Sequence, residues 1–186
     1  MPFPRILIVY GTTYGQTAKI AERVAEQLMS SGHIVVLAST DRVPPALAPG
    51  AFDAVIAGGS VLHGHHQRAL LRFVRQHREA LNTVPSAFFS VSGSASSGTE
   101  SGRAEARRYL DEFLHQTGWH PELTATFAGA MAYTKYGPFT RWIIKRIAAK
   151  RGGPTDTSRD HEATDWAAVK RFARAVGTAV REREAA

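Results

Sequence analysis

The sequence predicts a doubly wound α/β domain: a five-stranded parallel sheet with helices on both faces. Two observations point there. Five short apolar runs of buried-strand type alternate with amphipathic segments, and the loops after the first, third and fourth runs are rich in glycine and hydroxyl residues. Sequential strands joined through helices pair in parallel, and such sheets bury both faces.

The elements follow in order. Ile6 to Tyr10 is β-branched and aromatic, a strand; Ile20, Val24 and Leu28 then recur at helical spacing with Lys19, Glu22, Arg23 and Glu26 between them. His33 to Ala38 reads as the second strand, followed by a loop marked by Pro44, Pro45 and Pro49. Ala54 to Ala57 is the third strand, ending at Gly58-Gly59-Ser60. Leu70, Phe73, Val74, His77 and Leu81 share one helical face, and Ala87 to Val91 makes the fourth strand, running into a polar stretch from Ser92 to Gly102. Tyr109, Leu110, Phe113 and Leu114 mark the next helix, and Leu123 to Phe127 the fifth strand. Trp166, Val169, Phe172, Ala173 and Val176 form a last helix capped by Thr164 or Asp165.

The first loop, Gly11-Thr12-Thr13-Tyr14-Gly15-Gln16-Thr17, joins a strand to a helix start, where unpaired N–H groups and the positive dipole end favour an anion. A triphosphate loop would need lysine after its second glycine, and none is present; a G-x-G-x-x-G fingerprint fails at Thr13. Asp41, after the second strand, weakly favours a dinucleotide. A neutral nest with the hydroxyls of Thr12, Thr13 and Thr17 suits one phosphate monoester, although an ordinary capped turn uses the same residue types. In such a sheet, loops 11 to 17, 58 to 66 and 92 to 102 should converge where strand order reverses. A flat ring between the second and third loops, with its phosphate in the first, would account for all three compositions. Flavin mononucleotide (FMN) has that shape.

The chain has 186 residues and no linker long enough to separate two domains, so residues 1–186 are expected to form one domain. The absence of cysteine excludes disulfides, thiolate metal sites and cysteine nucleophiles, and is compatible with a cytosolic setting. No signal peptide or spanning run is visible.

The chain resembles flavodoxin-fold proteins, and more closely the menaquinone-dependent protoporphyrinogen dehydrogenases of bacteria. The resemblance spans nearly the whole length and rests on "TTYGQT", "GGSVLHGHH", "PSAFFSV", "FAGAMAYTKYGPFTRWIIKRIAAKRGGPTDTSRD" and "TDWAAVKRFA". It implies an FMN-dependent oxidoreductase that oxidises protoporphyrinogen IX and reduces a membrane quinone at the cytoplasmic membrane face. By this resemblance, Thr12, Thr13, Tyr14, Gly15, Gln16 and Thr17 hold the phosphate. Ser60, Val61, Leu62, His63, Gly64 and His65, with Ser92, Gly93, Ser94, Ala95 and Ser96, line the ring, and Gly58 and Gly59 permit close backbone approach. The second loop has His63 and His66 where the resemblance implies tyrosines, and the third, "SGSASSGTESG", is smaller and less basic than it implies.

The histidines have two readings: exposed residues at a cleft mouth, or His63 and His65 as a proton relay beside the ring. A metal held by His63, His65 and His66 is not expected, since no further acid or histidine stands at a workable spacing. The stretch from Lys135 to Arg151 carries six of the chain's 23 basic residues and no acid. It forms the core of a basic amphipathic insertion at about residues 129–162. Lys135, Arg141, Trp142, Lys145 and Arg146 would make a rim attractive to anionic lipid and to porphyrinogen propionates, while apolar side chains interleaved with basic ones disfavour nucleic acid. The expected placement is cytoplasmic and peripheral on the membrane, and a homo-oligomer is compatible with it. Two other classes share the composition: a flavodoxin-type electron carrier or general quinone reductase, disfavoured as a carrier by the formal charge of +7, and a regulatory domain without flavin.

Overall fold

The computed structural model describes residues 3–44, 47–150 and 152–185. Pro45 of the proline-marked loop and Arg151 at the end of the basic stretch lie outside them. The parallel strands are β1 (Arg5–Gly11), β2 (Ile34–Ser39), β3 (Ala54–Leu62), β5 (Ser86–Ser92) and β6 (Leu123–Ala128), ordered β2-β1-β3-β5-β6. The chain steps outward from β1 to β2 and then returns past β1 to β3, so strand order reverses beside β1. This is the five-stranded doubly wound sheet that the alternation of runs predicts.

Period-two alternation sends each strand's residues to opposite layers. Ile6, Ile8, Ile56 and Phe89 pack beneath helices α1 (Gln16–Ser30) and α6 (Trp166–Glu184), against Ile20, Val24, Leu28, Val169 and Val176. Leu7, Val9, Val55 and Phe88 face the other layer, made by α2 (Arg68–Gln76), α3 (Arg78–Leu81) and α4 (Glu100–Thr117), against Leu70, Val74, Leu110, Phe113 and Trp119. Ile20, Val24 and Leu28 are essentially unexposed, and each such side chain contributes about 1.5–3 kcal/mol of burial. Asp165 caps α6, its carboxylate accepting from the Ala168 N–H at 3.0 Å.

Three boundaries differ from the sequence reading. β3 does not stop at Ala57; it continues to Leu62 and folds back as β4 (His65–His66), pairing Val61 with His66 and Leu62 with His65. The two-residue turn needs positive φ at both positions, which His63 (50°) and Gly64 (83°) supply. The helix expected through Leu81 breaks at His77, whose φ of −110° is not helical. Helix α4 begins at Glu100, capped by Thr99, so the third loop ends earlier than Gly102.

The region between β6 and α6 forms a lid-like ribbon and helix: β7 (Ala130–Met131) pairs antiparallel with β8 (His161–Glu162), and α5 is Pro138–Lys150. It has a small core of its own, Ala132, Tyr133 and Tyr136, against which Tyr14 and Ile144 pack.

Candidate functional site

The carboxyl ends of β1, β3 and β5 are adjacent, so the loops that follow them meet at one edge, beside the point of strand reversal. In the first loop Gly15 precedes α1 with φ 97°, a conformation that a side chain would strain. No side chain caps this helix. The Thr12 hydroxyl instead accepts from the Gly15 N–H at 3.0 Å, tightening the loop. Thr17 is fully buried, and its hydroxyl has no hydrogen-bond partner among the described residues. An orphaned buried hydroxyl costs about 1–3 kcal/mol, which argues for a ligand acceptor at this point rather than an ordinary capped turn. The first-turn N–H groups of α1 point the same way and have no intrahelical acceptor.

The rest of the first loop is held by its surroundings. The Tyr14 ring stands edge-on to Tyr136, centroids 4.7 Å apart, and is therefore engaged with the segment between β6 and α6. Gln16 is buried and donates through Nε2 to the Thr164 hydroxyl at 2.9 Å. The Thr13 hydroxyl accepts from Gln67 Nε2 at 3.1 Å, and the same amide donates to Ser60 Oγ. Gln67 thus ties the first loop to the second. A Cβ on Gly11 would lie 2.9 Å from Gln67 Oε1, so Gly11 makes room for this tie.

In the second loop, Val61 and Leu62 lie on the hairpin strand, and His63 and His65 are exposed at and beside its tip. His66 goes elsewhere. Its ring packs against Phe88 and Phe113, and its Nε2 lies 2.9 Å from the Ser90 hydroxyl. Burial, with the neighbouring His65 adding to it, lowers its pKa from 6.5 to about 4, so it is neutral at pH 7. Gly58 and Gly59 are also taken up by packing. A Cβ at Gly58 would run into the Phe89 ring, and one at Gly59 would sit 2.5 Å from Leu70 Cδ2, so close approach here is by the core and not by a ligand.

The third loop satisfies most of its own hydroxyls. Ser92 Oγ accepts from the Ala95 N–H at 3.3 Å, and Ser96 Oγ donates to the Gly93 carbonyl at 2.6 Å. Ser94 Oγ donates to Glu105 at 2.5 Å, and that carboxylate also accepts from Tyr109 at 2.8 Å. Gly93 has nothing within 4 Å of where a Cβ would be, leaving backbone open to a ring. A groove of about 400 Å³ runs from Thr13 past Leu62 and His65 to Tyr109 and Phe113, between the hairpin and α4.

The basic rim is divided. Lys145, Arg146 and Trp142 are exposed on α5, with the Arg146 guanidinium 5.3 Å from the Trp142 ring centre. Arg141 is half-buried and donates to the Tyr136 carbonyl at 3.1 Å. Lys135 lies apart from them, its ammonium 2.7 Å from the Tyr14 carbonyl.

A family model, the flavodoxin domain, matches residues 7–158. The chain belongs to the flavodoxin family. Among its relatives, a protein of Leishmania major named protoporphyrinogen IX dehydrogenase (quinone) is 37% identical over 172 residues, covering 91% of this chain and 73% of that one. The protein of the same name from Escherichia coli is 35% identical over 172 residues, covering 92% and 94% of the two chains. A flavodoxin of known structure from the domain Archaea superposes with a TM-score of 0.55 at 17% identity, over 95% of this chain and 99% of that one, a likeness of fold. The residues present fit FMN: a buried hydroxyl without a partner, an uncapped helix start behind a left-handed glycine, and open backbone at Gly93.

Sequence reasoning missed Gln67 and Glu105, which position the loops, and offered Thr164 only as a helix cap, a place that Asp165 takes while Thr164 holds Gln16. Gln67 follows the histidine-rich loop directly, and its place could have been read had the hairpin been recognised. Glu105, and the tie of Thr164 to Gln16 across 148 residues, carry no local signal.

Proposed function

We propose that this protein is an FMN-dependent oxidoreductase that oxidises protoporphyrinogen IX to protoporphyrin IX and passes the electrons to a quinone. The observation that carries this reading is similarity over more than nine-tenths of the chain, at 35–37% identity, to proteins named for that activity. Bound FMN supplies the two-electron chemistry that links donor to acceptor. The chain's own part begins with the phosphate: Thr17 Oγ1 and the first-turn N–H groups of α1 donate to it, in a loop that Thr12 and Gln67 hold in shape. Backbone of residues 60–62 and 92–96 lines the ring, with Gly93 allowing the closest approach.

His63 and His65, exposed on the hairpin, carry protons from the site to water. Helix α5 docks the protein on an anionic membrane, where its quinone acceptor resides. Phe139, Trp142 and Ile147 are 74%, 55% and 44% exposed and alternate with Lys145, Arg146 and Lys150, a composition suited to headgroups. No helix among the described residues is long and apolar enough to cross a membrane, so attachment of this kind would be peripheral.

The test is turnover. FMN-loaded protein, protoporphyrinogen IX and a quinone are mixed without oxygen, and porphyrin fluorescence is followed. Fluorescence should rise only with both flavin and quinone present, and should slow in His63→Ala and His65→Ala with flavin still bound. Reduction of the quinone by other donors, with protoporphyrinogen IX untouched, would refute the assignment of substrate.

A further inference from the structure

The first loop contains no charged side chain, yet a phosphate monoester carries close to two negative charges at neutral pH. The structure brings one cation to it. Lys135 reaches across 121 residues of sequence to donate to the Tyr14 carbonyl at 2.7 Å, and its Nζ lies 3.4 Å from where a Cβ on Gly15 would be. That ammonium therefore sits over Gly15, the left-handed residue that opens the nest, two residues before Thr17 with its orphaned hydroxyl. The other cation of this corner, Lys19, is engaged by Glu162 at 3.3 Å.

The placement of Lys135 is built by its neighbours. The Thr134 N–H and hydroxyl both donate to Asp160, at 2.9 and 2.8 Å, fixing the turn from which Lys135 projects. Tyr133 is fully buried and donates to the Pro154 carbonyl at 2.8 Å, and Tyr136 packs edge-on to Tyr14. Contacts of the residues before and after it thus fix the backbone from which Lys135 projects, and its hydrogen bond to the Tyr14 carbonyl holds the ammonium at the loop.

We propose that Lys135 is a phosphate-binding residue, by which the inserted region, residues 129–162, closes on the cofactor and selects a flavin that carries a phosphate. This rests on the FMN reading above and goes beyond it in assigning the counter-charge to a segment far from the loop. Lys135 has two hydrogens free beyond the one on Tyr14, enough to bond a phosphate oxygen without leaving the carbonyl. Because the same region bears α5, cofactor binding and the seating of that helix become linked.

The experiment titrates apo-protein with FMN and with riboflavin, which lacks the phosphate, at several salt concentrations. Wild type, Lys135→Gln, Lys135→Arg and, as a control for net charge, Lys170→Gln on the exposed side of α6 are compared. Lys135→Gln should weaken FMN about tenfold or more, from loss of one charge-assisted bond. It should leave riboflavin within about twofold and flatten the dependence of FMN affinity on salt. Lys135→Arg should recover most of the affinity, and Lys170→Gln should bind as wild type. Equal losses for FMN and riboflavin, an unchanged salt dependence, or FMN binding within twofold of wild type in Lys135→Gln would each overturn the role of Lys135. Where riboflavin binds too weakly to measure, the salt dependence decides. Failure of the wild type to bind FMN would instead overturn the flavin reading, and this one with it.

Discussion

The imidazole of His66 lies against the rings of Phe88 and Phe113, with centroids at 5.5 and 4.8 Å, and meets water poorly. Its native pKa of about 4 against an ordinary 6.5 has a definite sign for stability. A histidine that is hard to protonate when folded and easy when unfolded lets the unfolded chain gain the proton first. Stability from this group is therefore intact above about pH 6.5 and falls as pH drops from 6.5 towards 4, by roughly 3 kcal/mol over the full window. Urea unfolding at pH 7 and pH 4.5 should show a steeper loss in wild type than in His66→Gln, which keeps a hydrogen-bonding group for Ser90 but cannot ionise. Equal losses would mean that the ring takes up a proton as readily in the folded as in the unfolded chain. The same residue marks a limit of reading single positions: "GGSVLHGHH" announces crowding and imidazoles, but not that Gly58 and Gly59 accommodate Phe89 and Leu70, nor that one histidine turns inward. A glycine signals that something comes close; what comes close is set by residues remote in sequence.

Elements whose apolar residues follow one period were legible. All five parallel strands and the helices on both faces occur in the order that alternation and helical spacing give, with β3 longer and the helix through Leu81 broken at His77, because burial on two faces leaves a continuous apolar run and burial on one leaves a stripe. The β3–β4 hairpin was not legible, since Gly58-Gly59-Ser60 looks like a strand end and His63-Gly64 is not the usual Asn-Gly turn pair. Helix α5 has little cover: of its thirteen residues only Ala148 is buried. Its exposed aromatics and basic side chains give a direct prediction. Vesicles with anionic lipid should sediment the protein, and changing Lys145 and Arg146 together to glutamine should release much of it, at about 1 kcal/mol for each charge. Binding that is equal on neutral and anionic vesicles would reduce these charges to a solvated face.

For the molecule as a whole, the doubly wound sheet and the convergence of three loops followed from the order of elements, because strand reversal beside β1 forces the loops of β1, β3 and β5 together. What the order of elements could not give is the closing of the inserted region on the first loop. That closure is made by Lys135 on Tyr14, Gln16 on Thr164 and Lys19 on Glu162, partners 121 to 148 residues apart that no local pattern links. A formal charge of +7 over such a framework suits anionic substrates and surfaces better than the basic partners of a simple electron carrier. One flavin in this framework should serve both a porphyrinogen and a quinone, and the visible absorbance of FMN-loaded protein tests this in a single cuvette. Without oxygen, adding protoporphyrinogen IX should bleach the oxidised-flavin band, and a quinone added next should restore it. A band that stays unbleached by protoporphyrinogen IX, in protein whose flavin a chemical reductant does bleach, would contradict the account.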